Sequence, residues 1–300
     1  EPTLFDFFVD TPPPQNEKDL DFFSIQVDFG PSQQEFHIGQ GSVAIPGNTS
    51  GLLTVHKRLG QLPLKAVLEP SITAARSGVI INEAQAYLIK ILEPILTHSH
   101  AGLDLFRPNG ELLNHGDHFQ NLAFADFLEI LVHEGDRFFY EGDGADLILK
   151  TIGEKSLITR ECLASYGVVE RAPLKSSFRG KTIYTNPPPS NGGALITFLL
   201  KLLDQAETGS ASEFIRLVKA MEITSRARRE ICHNAQDTSQ ISQVQEPNTF
   251  TYYLKLFNSG YNNIPNELDP PSQGATTHVS ILDNQGNAAS VTTTNGEGCG

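Results

Sequence analysis

Cysteine is scarce. Cys162, Cys232 and Cys299 are the only three in 300 residues. They are widely and irregularly spaced, with no C-x-x-C and no His beside them at zinc-site spacing. That excludes a disulfide scaffold and a cysteine-based metal site, and reads as a reducing compartment or incidental buried thiols. Basic residues are also short: 22 Lys and Arg stand against 35 Asp and Glu, a formal charge of −13. So acidic a chain repels phosphate backbones and anionic headgroups, so neither nucleic acid nor a membrane surface is an expected partner. Long apolar runs are missing as well. The stretch Ala194–Leu203 falls well short of the ~20 residues that a membrane span needs. No basic-then-apolar leader is visible, and the chain opens on Glu1-Pro2 and stops at Cys299-Gly300 inside a Gly-rich run. Both ends read as cut, as in a piece of a longer or processed polypeptide. The compartment leans to the cytoplasm, with the periplasm left open because the N-terminus reads as missing.

What is present is ordinary globular material, 39% hydrophobic and 19% charged, enough to bury roughly 75% of the surface the unfolded chain exposes. Residues 1–46 read as strands and loops, with β-like runs at Leu4–Val9, Phe23–Phe29 and Glu35–Ile38. From Pro46 to about Gly153 the spacing turns helical. A first helix stops at Gly60, a second runs Leu64–Ser77 and stops at Gly78. Asn82-Glu83-Ala84-Gln85 is a capping box heading a helix to Leu96. Further helices fit Phe119–His133, Ala145–Ile152 and Thr159–Tyr166. Val168–Ala172 and Thr182–Tyr184 alternate like strands, Ala194–Leu203 and Ser212–His233 read as helices, and Gln236–Asn248 as a polar, mobile stretch. Arg226, Arg228 and Arg229 read as a solvated helix face.

Chemistry concentrates near the C-terminus. Thr276-Thr277-His278-Val279-Ser280-Ile281-Leu282-Asp283 and Asn287-Ala288-Ala289-Ser290-Val291-Thr292-Thr293-Thr294 alternate across the loop Asn284-Gln285-Gly286. This predicts a hairpin with a G1 bulge. A loop centred on Gln285 sets Thr276 opposite Thr294, His278 opposite Thr292 and Ser280 opposite Ser290. One face then carries hydroxyls and an imidazole, the other Val279, Ile281, Ala289 and Val291. A slip of one residue would put Asn295 opposite Thr276 instead. Threonine is also simply a good strand former. As a nucleophile it needs a base, and the nearest is its own α-amine, free once the preceding peptide bond is cut. Thr276 follows the turn-prone Pro270-Pro271-Ser272-Gln273-Gly274-Ala275, where a self-cleaving chain would expose a new N-terminus.

Thr276-Thr277-His278-Val279-Ser280, with Asp283, Gly286-Asn287-Ala288 and Val291-Thr292, resembles the start of the small subunit of γ-glutamyltranspeptidases. Three blocks agree in order: Pro46-Gly47 through Gly78; Ile158–Tyr166 with Val169-Glu170-Arg171-Ala172-Pro173; and Phe178-Arg179-Gly180 leading into Pro187–Gly193. The resemblance implies an N-terminal-nucleophile hydrolase, α+β, an αββα sandwich incomplete in this chain. It also implies one precursor cut between Ala275 and Thr276, with residues 1–275 as the large-subunit portion and 276–300 as the start of the small subunit, the two pairing as a heterodimer. Thr276 would attack a γ-glutamyl amide such as glutathione, and water or an amino-acid acceptor would resolve the acyl-enzyme. The family pattern assigns Thr294 as the second hydroxyl, Asn295 as a ligand of the substrate's α-amino end, and Glu297 beside it. No cofactor and no metal enters. The oxyanion-hole glycines of the family would lie beyond Gly300.

Two departures stand out. Where the family has Asp-Phe-Arg-Glu, this chain has Asp6-Phe7-Phe8-Val9, so the Arg that clamps the glutamyl α-carboxylate is replaced by Phe8. A phenyl ring makes no bidentate carboxylate contact. The spacing after Thr294 is one residue shorter than usual, which sets Thr293 as an alternative second hydroxyl. A non-catalytic or differently specific paralogue, another amide acylase on the same fold, is the competing expectation. His98, His100, His115 and His118 read as surface histidines, Pro187–Gly193 as a tight turn before a helix, and His278 as a strand histidine beside the nucleophile.

Overall fold

The computed structural model describes residues 2–12, 20–30, 33–207, 212–231, 238–259 and 276–294. Ala275, Asn295, Glu297, Cys232 and Cys299 lie outside them. The chain opens with β1 (Leu4–Asp6), β2 (Phe23–Asp28) and β3 (Gln33–Ile38), then α1 (Asn48–Leu59) and α2 (Leu64–Ser77). Next come β4 (Val79–Ile80), α3 (Glu83–Ile91), α4 (Glu93–Leu96), α5 (His100–Phe106), β5 (His118–Phe119) and α6 (Leu122–Glu134). They are followed by α7 (Arg137–Tyr140), α8 (Asp143–Ile152), α9 (Arg160–Ser165), β6 (Val169–Arg171), β7 (Leu174–Phe178) and β8 (Lys181–Thr185). The last are α10 (Asn191–Gln205), α11 (Glu213–Ile231), α12 (Pro247–Asn258), β9 (Thr276–Leu282) and β10 (Ala288–Thr294). The class is α+β, as expected. The described strands pair in twos, all antiparallel: β1 with β6, β2 with β3, β4 with β5, β7 with β8 and β9 with β10.

The chain divides into two compact units, residues 1–6 with 169–268, and residues 7–168 with 269–300. In the first, α10, α11 and α12 enclose a core built on Phe198, fully buried, whose ring meets Phe250 and Tyr253 edge-on at 5.8 and 5.7 Å. From Thr238 on, the stretch read as polar and mobile is part of this core. A 3₁₀ turn over Thr238–Gln245 buries Ile241 and Val244 completely, and α12 follows at Pro247. Residues three apart eclipse on a 3₁₀ helix, so two apolar side chains in a polar run suffice to anchor it. Gln245 closes the contact by donating to the Ala194 carbonyl at 2.8 Å and Thr197 Oγ1 at 2.7 Å.

In the second unit, α2 packs on α6 through Ile72, Ala125, Leu128 and Leu131. The capping box at Asn82 forms with both hydrogen bonds in place. The helix it starts does not reach Leu96 unbroken. It ends at Ile91 and restarts as α4, because Pro94 has no N–H to give to the Lys90 carbonyl. The helix expected from Phe119 begins instead at Leu122, capped by Asn121, while Phe119 pairs with Val79 in β5. A second cluster, Ile45, Tyr140, Ala145, Ile158 and Leu163, carries the segment that leaves β1. Tyr166 stacks on Tyr140 at 5.4 Å and donates its hydroxyl to the Phe8 carbonyl at 2.8 Å. Phe7 packs on α1 at Gly51, where a Cβ would come within 2.1 Å of the ring. With Phe7 held inward, Phe8 is thrown outward and is 71% exposed.

Candidate functional site

The hairpin forms in the register that the loop length dictates. Thr276 faces Thr294, Thr277 faces Thr293, His278 faces Thr292 and Ser280 faces Ser290. Its turn is held from within. Gly286 sits at φ +85°, the left-handed conformation that a G1 bulge requires and that glycine adopts without steric cost. The Asp283 carboxylate accepts from the Asn287 side-chain amide at 2.7 Å and from the N–H groups of Asn287 and Gln285 at 2.8 and 2.9 Å. Those bonds, the Asn287 side chain first, hold Asp283 below the usual aspartate range.

Alternation along β9 and β10 sorts the side chains. Thr276 and Thr294 meet across the first rung with their hydroxyl oxygens 3.3 Å apart. On the next rung of that face, His278 Nδ1 lies 2.7 Å from Thr292 Oγ1. Its Nε2 lies 2.9 Å from Ser280 Oγ and 3.1 Å from Ser290 Oγ. Five hydroxyls and one imidazole thus line one side of a two-stranded ribbon. Thr293 is on the other side, opposite Thr277. β9 is exposed along its whole length, so the polar face is open to a solute. The bonds made by the His278 ring were not foreseen individually; their signal in the sequence was the alternation that put the three partners on its face.

Chemically, the first rung sets a β-branched hydroxyl at a strand's first residue, with a second hydroxyl 3.3 Å away that can donate to it. In the continuous chain, the nitrogen of Thr276 is an amide and supplies no base. Among the described residues, no group of three His, Cys, Asp or Glu side chains is arranged to hold a metal ion, and no helix is long and apolar enough to cross a membrane. Cys162 is a free thiol.

The cations that could take the place of an Arg at Phe8 are largely engaged. Arg171 Nε binds Asp6 Oδ2 at 2.7 Å beside the β1–β6 ladder. Arg179 is paired with Glu213, and Arg76 with Asp126 and Glu129 at 2.9 and 2.8 Å. Arg58, at the C-terminal end of α1, also has interactions of its own.

The sequence profile described as gamma-glutamyltranspeptidase matches residues 14–300. The glutathione hydrolase proenzyme of Escherichia coli is 30% identical over 274 residues, covering 86% of this chain and 46% of that protein. The chain spans about half the length of the curated relatives it matches. Among solved structures, the γ-glutamyltranspeptidase of Helicobacter pylori superposes with a TM-score of 0.68 at 23% identity, over 87% of this chain and 76% of that one. The cephalosporin acylase of Bacillus halodurans gives 0.70 at 18% identity, over 98% of this chain and 55% of that one. Both likenesses establish the fold alone. Phe8 precedes the stretch that the profile matches.

Proposed function

The chain belongs to the γ-glutamyltranspeptidase family, and from that premise we propose that it is part of an N-terminal-threonine amidohydrolase or transpeptidase acting on γ-glutamyl amides of the glutathione type. The carrying observation is the first rung of the hairpin, where Thr276 and Thr294 bring two hydroxyls within 3.3 Å at the start of β9. Cleavage between Ala275 and Thr276 would free the threonine amine. That amine takes the proton of its own hydroxyl, the oxygen attacks the γ-carbonyl, and the amide nitrogen departs with the proton. The resulting ester is resolved by water or by an amino-acid amine. We assign Thr294 to polarise the nucleophile, and Asn295 and Glu297 to receive the substrate's α-amino group. Residues 1–275 then belong to a large subunit and 276–300 open a small one. The scheme uses no cofactor, and the scarcity of cysteine favours a reducing compartment, the cytoplasm, with the periplasm as the alternative.

Intact-mass spectrometry of the protein, expressed from its whole reading frame, tests this reading. Two fragments are expected, one beginning at Thr276. A single uncut polypeptide, held under conditions that mature its relatives, overturns it.

A second reading is favoured by Phe8: the same chemistry on a different acyl group. The outward phenyl ring stands where the family resemblance places a carboxylate clamp, and Arg171, Arg179 and Arg76 are each bound to carboxylates elsewhere. A charge-assisted bond to a carboxylate is worth about 1.5–3 kcal/mol, or roughly 10–150-fold in affinity. Phe8→Arg is therefore expected to raise kcat/KM for a γ-glutamyl anilide by up to that factor, from a weak wild-type value. Strong wild-type activity, unchanged or lowered by the arginine, would show that the clamp comes from elsewhere.

A further inference from the structure

We infer that His278 is a positioning residue for the reaction proposed above, acting through Thr292 on the Thr276–Thr294 rung. The inference rests on that reading of Thr276. It starts from the ring's bonding. A neutral imidazole has one donor and one acceptor, so each ring nitrogen satisfies one hydroxyl at a time. Nε2 has two candidates, Ser280 Oγ at 2.9 Å and Ser290 Oγ at 3.1 Å. Either can serve if the other is lost, so that side of the ring is redundant. Nδ1 has one partner, Thr292 Oγ1 at 2.7 Å, and it is the shortest of the three contacts.

That unshared bond crosses the hairpin, from β9 to β10, on the rung next to Thr276 and Thr294 on the same face. Adjacent same-face rungs lie close enough for side chains to constrain one another. The rung it adjoins is slack. The Thr276 and Thr294 oxygens are 3.3 Å apart, longer than the 2.7–2.8 Å typical of hydroxyl pairs. The described hairpin places no charged side chain on this face: Asp283 is at the turn, at the far end from Thr276. A side-chain bond between the strands at His278–Thr292 can therefore fix the spacing of the two hydroxyls of the first rung, on a ladder whose register the backbone already sets, without itself touching the substrate. Loss of alignment at a reacting atom carries a large rate cost while binding of the substrate's remote parts is little changed. A positioning role therefore shows in kcat and not in KM.

The variants separate the two sides of the ring. His278→Asn places an amide nitrogen where Nδ1 was, and His278→Gln places one where Nε2 was. His278→Leu keeps bulk and removes both. For protein expressed from its whole reading frame, with kcat counted per cleaved chain by intact mass, His278→Leu is expected to lower kcat roughly 10–100-fold with KM held within about threefold. Maturation, which uses the same hydroxyl, should slow alongside. His278→Asn should restore most of the rate and His278→Gln little. Thr292→Val should match the leucine variant, and the double variant should be no worse than either single one, because both remove one interaction. Ser280→Ala and Ser290→Ala should each cost less than His278→Leu. Wild-type kcat in Thr292→Val, rescue by Gln rather than Asn, or a loss confined to KM overturns the inference. Thr292→Val also decides the matter if His278→Leu does not fold. Thr276→Ala, run beside them, tells the two failures apart. If it is inert while His278→Leu and Thr292→Val turn over normally, the positioning role falls and the nucleophile stands; if it still turns over, the reading beneath both falls.

Discussion

Thr276→Ala is expected to remain one polypeptide and to turn over no γ-glutamyl amide. The two losses have a single cause. The hydroxyl of Thr276 would first attack the carbonyl of Ala275, converting the peptide bond to an ester that water opens, and would later attack the substrate from a chain that now begins with its own amine. Alanine removes the attacking oxygen from both steps. In hydrolases that work through an acyl-enzyme, deleting the nucleophile costs on the order of 10⁶ in kcat, so residual turnover should vanish into the background. Thr276→Ser separates the oxygen from the methyl group: it should cleave and turn over, more slowly, since a serine hydroxyl lacks the β-branch that limits rotation about χ1. Intact mass reads the first step and anilide release the second. Fragments from the alanine variant that begin at residue 276 would mean that an external protease makes the cut and that the hairpin carries no self-cleaving chemistry.

Much of the framework behind these expectations could be read from local signals. The hairpin register followed from a short loop with glycine in third place and from a side-chain period of two, both of which act over a few residues. The same holds for α2, bounded by Pro63 and by Gly78 at φ +81°, and for the Asn82–Gln85 capping box. Long-range pairing was not legible. β1 was visible as a strand, but nothing near Leu4–Asp6 specifies that it pairs with Val169–Arg171, where Arg171 meets Asp6 across 165 positions of sequence. The 3₁₀ turn was obscured by its polar composition, while the fold needed only Ile241 and Val244 on one side; α12 carries Phe250, Tyr253 and Phe257 at helical spacing, a signal that was present in the sequence. At the site, alternation placed His278 with its hydroxyls. Which nitrogen meets which hydroxyl depends on rotamers and cross-strand distance, and those exist only in three dimensions. The exposure of Phe8 likewise depends on Phe7 lying against Gly51, a contact made 44 residues away in sequence.

Thr294→Ala is expected to lower kcat by roughly 10²–10³, the usual cost of removing one preorganised hydroxyl that polarises a nucleophile or donates to an oxyanion. It should do so with the chain still cut at Thr276, though more slowly. Thr293 is the comparison that gives the number meaning. The two threonines are adjacent and chemically identical, but the pleat sends them to opposite faces: Thr294 faces Thr276 with the oxygens 3.3 Å apart, while Thr293 faces Thr277. A role for the hydroxyl near the nucleophile predicts a steep loss at residue 294 and a rate near wild type for Thr293→Ala. A general effect of β-branched residues on strand stability predicts equal, modest losses at both positions, because either alanine weakens the strand by the same mechanism. Thr294→Ser should recover the greater part of the rate, since it returns the oxygen without the methyl group, and Thr294→Val should not, since it returns the branch without the oxygen. Measured kcat values for these four variants, each normalised to cleaved chain, distinguish the accounts. Full rate in Thr294→Ala together with a loss in Thr293→Ala would transfer the role to Thr293, and would require the working hairpin to be shifted by one residue from the register it has here.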